Sequence, residues 1–224
     1  MWGLGRFVLI AASLPLVGVA GWQYATRWQP SIEHYPVQGV DVGAEDGAID
    51  WNTVSARGAD FAYAVATRGA RERDPTFEAN WRGIEAAGMR RGAVLVYSFC
   101  QPAIDQANAF NTFVPRDENA LPVAIDISYD DACAARPERG ALIAELKLLA
   151  TTIEAHMRKP VLLRVAKPVE KDYEITAALP RNLWATGNFL APSYAARPWR
   201  LWRASDMRRV DGIEAPANWD VAAP

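Results

Sequence analysis

Histidine and cysteine are scarce in this chain, two of each in 224 residues. His34 and His156 stand far apart, so the sequence assembles neither a Ser–His–Asp constellation nor a histidine-based metal site. The cysteines lack the CxxC spacing of a zinc site, and no metal or cofactor is expected. An excess of charge is missing too: 24 Lys and Arg against 26 Asp and Glu leave a formal net charge of −2. That balance provides no polyanion-binding surface, so nucleic acid is not expected as a partner.

Charge is missing altogether from residues 7–26, the apolar run that follows Arg6. Such a run is long enough to cross a bilayer as a hydrophobic helix. It also fits the core of a signal peptide with a small-x-small site at Gly18-Val19-Ala20. Both routes imply export, to the periplasm or envelope, with or without retention at the inner membrane. Residues 1–22 are therefore expected to be a signal or membrane anchor, residues 23–38 with Pro30 and Pro36 a linker, and residues 39–224 the globular domain.

Within that domain, short apolar stretches alternate with amphipathic ones. Strands are expected over 39–43, 61–68, 92–99, 123–128, 160–166, 183–189 and 200–205, and helices near 51–57, 75–87, 102–113 and 141–157. Repeated strand–helix units of this spacing call for parallel strands with helices packed outside them, as in a barrel or a doubly wound sheet. No Gly-rich phosphate loop follows the first strand, as a nucleotide-binding sheet requires, so the expected fold class is α/β, an irregular TIM-like barrel. Functional residues of a barrel gather at the C-terminal ends of its strands. Cys100 and Cys133 each follow one of two consecutive strands, so a disulfide is plausible in an oxidising compartment, two partly buried free thiols being the alternative.

One stretch demands an explanation. Leu121–Asp131 (LPVAIDISYDD) carries Asp126 inside an apolar strand, where a carboxylate is costly unless paired, hydrogen-bonded or open to solvent. Strand alternation sets Asp126, Ser128 and Asp130 on one face and Ile125, Ile127 and Tyr129 on the other. A buried Asp tying neighbouring strands together is the alternative to a functional carboxylate. The nine Trp suit either a sugar-binding cleft, where indole faces stack on sugar rings, or an ordinary core.

Several stretches together resemble glycoside hydrolase family 25, the lysozyme-type N-acetylmuramidases. Gly39-Val40-Asp41-Val42 followed by Gly47-Ala48-Ile49-Asp50-Trp51 is similar to the family's opening G-[IV]-D-[VI]-S…QG-x-I-D-W. Asp74-Pro75-Thr76-Phe77, Asn80-Trp81 and Ala87-Gly88-Met89 resemble its D-P-x-F…N-W…A-G-L. Leu121-Pro122 with Asp126 resembles its L-P-P…D-x-E, and Leu201-Trp202 with Val210–Ile213 its closing L-W-Q-Y…V-x-G-I. The resemblance implies a cleft for peptidoglycan glycan strands and hydrolysis of the bond after N-acetylmuramic acid. It carries Asp41 and Asp126 over as catalytic carboxylates, and places Arg68, Tyr97, Trp184 and Arg203 in the substrate cleft. The family's late Asp falls at Asn218, with Asp220 two positions on as a second candidate.

The departures bear directly on chemistry. Glycoside cleavage needs a proton donor at the glycosidic oxygen, and the Glu of D-x-E is here Ser128, whose hydroxyl is too weak an acid. Asp130, Asp131, Glu45 and Asp46 are the nearby carboxylates that could replace it. Arg68 stands where the family has Glu and Arg203 where it has Gln, so one or both are expected to pair with Asp41 or Asp126 and hold them ionised, the opposite of what a general acid requires. The expected function is thus a peptidoglycan-directed, muramidase-type barrel with impaired catalysis. An active enzyme using a displaced acid and a non-enzymatic envelope interaction module are the alternatives.

Overall fold

The computed structural model of the protein describes residues 17–224. Most of the expected anchor or signal segment lies outside the described residues. Its described end, residues 17–27, is helical, and no helix among the described residues is long and apolar enough to cross a membrane.

The domain is a closed barrel. Its strands are β1 (Gln38–Val42), β2 (Phe61–Arg68), β3 (Glu72–Arg73), β4 (Arg90–Val96), β5 (Ala124–Ile127), β6 (Leu162–Val165), β7 (Asn182–Thr186), β8 (Leu201–Arg208) and β9 (Ala217–Ala222). The order around the sheet is β1-β9-β8-β7-β6-β5-β4-β2, closed by the pairing of β1 with β2, while β3 is a short ribbon folded back on β2. From β1 through β2 and on to β8 the neighbours run parallel, and β9 runs antiparallel to both β8 and β1. The sheet is therefore mixed, a departure from the all-parallel arrangement that strand–helix repeats suggest.

Helices α1 (Trp51–Ala56), α2 (Phe77–Ala86), α3 (Ala103–Phe113), α4 (Arg139–Met157), α5 (Lys167–Tyr173) and α6 (Ile175–Ala178) lie outside the barrel. Period-two alternation sorts the strand side chains between two cores. Val40, Val42, Ile125, Ile127, Leu163 and Val165 point outward into the layer beneath the helices, to which α4 contributes Leu142, Leu146, Leu149 and Ile153. Phe61, Tyr63, Val94, Ala124, Leu162, Trp184 and Leu201 fill the inside. Two glycines make room for those rings: a Cβ at Gly39 would lie 2.3 Å from the Phe61 carbonyl oxygen, and one at Gly92 2.3 Å from the Tyr63 ring.

Strand β9 escapes an apolar reading of the sequence because its inward positions are Asn218 and Asp220. No helix joins β7 to β8 or β8 to β9, so one side of the barrel lacks the usual helical cover. The segment expected to be a linker covers it. Trp28 packs on Phe189 and Trp202 with centroids 5.1 and 6.4 Å apart, and Tyr35 on Trp202 and Trp199 at 5.8 and 6.1 Å. Backbone and side-chain bonds fix this strap: the Arg209 N–H donates to the Thr26 carbonyl (2.7 Å), and Gln38 Nε2 donates to the carbonyls of Pro30 (3.1 Å) and Tyr35 (2.9 Å).

Candidate active site

Four strands deliver charged side chains to the C-terminal mouth of the barrel. Asp41 on β1, Asp126 on β5, Arg164 on β6 and Arg203 on β8 sit one layer above the apolar interior, each at an inward position of its strand. Asp126 and Arg164 are direct cross-strand partners. Arg164 Nη1 donates to Asp41 Oδ1 at 2.8 Å and Nη2 to Asp126 Oδ2 at 2.9 Å, so one guanidinium bridges both carboxylates. Arg203 closes on Asp41 from the other side, Nε to Oδ2 at 2.9 Å and Nη2 to Oδ1. Asn218 Nδ2 adds a bond to Asp41 Oδ1 at 3.3 Å.

Burial alone would push the Asp41 carboxyl up, but the Arg203 and Arg164 cations outweigh it and hold Asp41 well below the usual carboxylate range. Beside it, Asp220 is fully buried and moves the other way, raised first by burial and then by the charge of Asp41. Its Oδ1 accepts the Trp184 indole N–H at 2.9 Å, and its Oδ2 meets no other donor. Asp41 and Asp126 thus face the guanidiniums of Arg164 and Arg203 in one network, with the raised carboxyl of Asp220 beside Asp41. Such a closed ion network is held by geometry, since a buried charge deprived of its partner is strongly destabilising.

A further carboxyl stands in the loop after β1. Asp46 Oδ2 accepts the Gly43 N–H at 2.8 Å, and Asp74 pins the same loop by accepting the Ala44 N–H at 2.9 Å. Burial, opposed by the Gly43 bond and aided by the charges of Glu45 and Asp41, pushes Asp46 up to about 6.

Two cavities open above the cluster and share Ser128. One, of about 320 Å³, has Asp126, Arg164 and Arg203 in its floor and wall. The other, of about 740 Å³, runs past Arg68, Tyr97 and Gln101 to the Cys100–Cys133 disulfide. That disulfide is formed as the consecutive strand ends suggested, and ties the loop after β4 to the loop after β5.

The structure brings together Asp41, Asp126, Arg203, Asn218 and Asp220 from the residues singled out in the sequence, and sets others aside. Arg68 reaches neither Asp41 nor Asp126 and instead places Nη2 2.9 Å from Glu45 Oε2 in an exposed pair. Trp184 offers no stacking face: it is 1% exposed, beneath the Arg164 guanidinium, whose carbon lies 4.5 Å from the ring centre. Tyr97 lines the larger cavity, yet its ring is mostly buried against Phe99. Strand β5 ends at Ile127, so Asp130 does not continue the alternation of Asp126 and Ser128. It bends into a turn, accepting the Ala132 N–H at 2.9 Å. Tyr129 also leaves the strand and donates its hydroxyl to Asp172 at 2.6 Å.

Arg164 is the residue that sequence reasoning missed. The signal was present: a lone guanidinium in the apolar strand PVLLRVA raises the same question as a lone carboxylate in VAIDIS. Among the described residues no group of His, Cys, Asp and Glu is arranged to hold a metal ion.

Acidic side chains at the C-terminal mouth of a closed barrel stand where barrel enzymes carry their active sites. The sequence profile of Glycosyl hydrolases family 25 matches residues 40–213, and the chain belongs to that family. A family 25 glycosyl hydrolase from Bacillus anthracis superposes with a TM-score of 0.80 at 28% identity, covering 87% of this chain and 92% of that one. YegX of Escherichia coli strain K12 is 27% identical over 198 residues, 84% of this chain and 70% of that protein. Lysozyme M1 of Streptomyces globisporus is 34% identical over 105 residues, 44% of this chain and 35% of its own length. The chain is thus of the lysozyme-like hydrolase type.

Proposed function

We propose that the protein is an exported, peptidoglycan-directed member of this family whose cleft holds glycan strands and whose bond-cleaving chemistry is weak or lost. The single observation that carries this reading is the sharing of Arg164 between Asp41 and Asp126. A carboxylate that stabilises an oxocarbenium-like centre must offer uncompensated negative charge, and a general acid must hold a proton near neutral pH. Arg164 and Arg203 neutralise the first, and Ser128 stands where the family motif supplies the second. Loss of one positioned acid removes roughly 10²–10⁴-fold in rate. Export accords with the charge-free run over 7–26 and with the disulfide, a bond that persists in oxidising compartments.

One observation favours the active alternative: Asp46 is buried close to Asp41 with its carboxyl pushed up to about 6, the range a displaced acid would need. Release of reducing ends from purified peptidoglycan by the full chain separates the two. The wild type is expected to release no more than Asp126→Asn, while still co-sedimenting with the insoluble glycan. Wild-type turnover that disappears in Asp126→Asn overturns the impaired reading, and its loss in Asp46→Asn identifies the substitute acid. Failure to bind glycan at all points instead to an interaction module for a protein partner.

A further inference from the structure

The uncharged stretch over 7–26 ends at Thr26, and Thr26 is the residue seated on the barrel. Its carbonyl accepts the Arg209 N–H one residue beyond the end of β8, and its side chain is buried. Because β8 runs parallel to β7, its C-terminal end lies at the same mouth as Asp41, Asp126 and the two cavities. The chain then passes down the outside of the barrel through Trp28 and Tyr35 and enters β1 at the opposite end. Residues 17–24 of the helix that carries Thr26 are exposed, Val17 to 70%, Trp22 to 60% and Tyr24 to 65%.

We infer that the protein docks on a lipid bilayer with its open cleft turned toward the membrane rather than away from it. This rests on the export reading above, taken in its membrane-retained form. The occupant of the exposed helix face is lipid because the uncharged, mostly apolar run over 7–26 has the length and composition that suit a bilayer. The described end of that stretch and the cation after it are of the kinds that settle at a bilayer interface: Trp22, Tyr24 and Arg27, all exposed. No spacer separates the apolar stretch from the barrel, and the strap is fastened along its length by aromatic packing and backbone bonds, so the tether sets an orientation. The glycan such a cleft reaches is the layer lying against the membrane.

The test uses the full chain and vesicles of phosphatidylethanolamine and phosphatidylglycerol carrying a spin-labelled lipid quencher. Both native cysteines are bonded to each other, so a single introduced thiol takes a fluorophore selectively. Arg71→Cys places it in the exposed turn after β2 at the mouth, and Glu118→Cys in the exposed loop between α3 and β5 at the opposite end. The vesicles are expected to bind both labelled proteins, and to quench the Arg71→Cys label several-fold more than the Glu118→Cys label. Val19→Glu with Trp22→Glu is expected to abolish both vesicle binding and quenching. Absence of vesicle binding, equal quenching, stronger quenching at Glu118→Cys, or binding that survives the two charges overturns the inference. Glycan sedimentation and turnover, measured without lipid, stand or fall separately.

Discussion

Replacing Arg164 by Met tests whether the ion network at the mouth holds the site in the way described. The guanidinium is 4% exposed, between an Asp41 side chain that is 3% exposed and an Asp126 side chain that is 17% exposed. Removing one partner of a buried pair costs about 3–5 kcal/mol because the other charge stays buried. Asp41 keeps Arg203 and Asn218 in the variant, and Asp126 can draw on water, so the loss should fall at the low end, about 3 kcal/mol at neutral pH. The pH dependence follows from the direction of the Asp41 shift. A carboxyl held below its unfolded value stabilises the fold at neutral pH, and that contribution fades only as acid protonates the folded form. With one cation gone, burial weighs more on Asp41, its carboxyl rises, and protonation relieves the variant. The gap between wild type and Arg164→Met should therefore be widest near pH 7 and narrow toward pH 4. Denaturant unfolding followed by tryptophan fluorescence measures this, with Trp184 directly beneath the substituted residue. A loss under about 1 kcal/mol, or a gap independent of pH, would refute the reasoning. In the same assay, Asp126→Asn combined with Arg164→Met should cost less than the sum of the single changes, by about 0.5–3 kcal/mol.

Asp220→Asn should leave the fold at least as stable as the wild type at pH 7. The amide removes the negative charge that burial and Asp41 disfavour at this position, and its oxygen still accepts from Trp184. Since the folded carboxyl is raised, the wild type's stability is complete in acid and declines as pH rises, so the advantage of Asn should grow above pH 4 by at most about 1.4 kcal/mol per pH unit. A variant less stable at pH 7 than at pH 4, relative to wild type, contradicts the assignment. Reducing the Cys100–Cys133 bond, which closes a sequence separation of 33, should cost roughly 3–4 kcal/mol in loop entropy. Thermal unfolding with and without dithiothreitol should then differ by about 10 °C, and an unchanged midpoint would show that the loops at the mouth are ordered without it.

Much of the barrel was legible because its strands and helices follow simple periods. The β2 strand FAYAVATR, the α4 stripe of Leu142, Leu146, Leu149 and Ile153, and the disulfide between consecutive strand ends all come from local pattern. Strand β9 was hidden by a physical cause: its inward residues serve a charged layer, so it lacks the apolar alternation that marks a strand. The short helices α5 and α6 were hidden by their length. At the site, the sequence pointed to Arg203 beside Asp41 but could not choose between it and Arg68, since both replace neutral or acidic family positions. Register made the choice, by bringing β8 around to β9 and β1 while Arg68 turned to Glu45. Asp130 leaves the alternation of Asp126 because that pattern holds only while the strand lasts, yet it still lines the larger cavity with Ser128.

The strap across the helix-free side of the barrel means that the folding unit begins well before the family-like motif at Gly39. Trimming the chain there would strip the cover from Trp199 and Trp202 and, with Gln38, take away the acceptor of the buried Trp219 indole N–H. The shortened protein would bare an indole-rich wall to water, the kind of surface on which copies of a protein stick together. A fragment that precipitates would then say nothing about the integrity of the barrel itself.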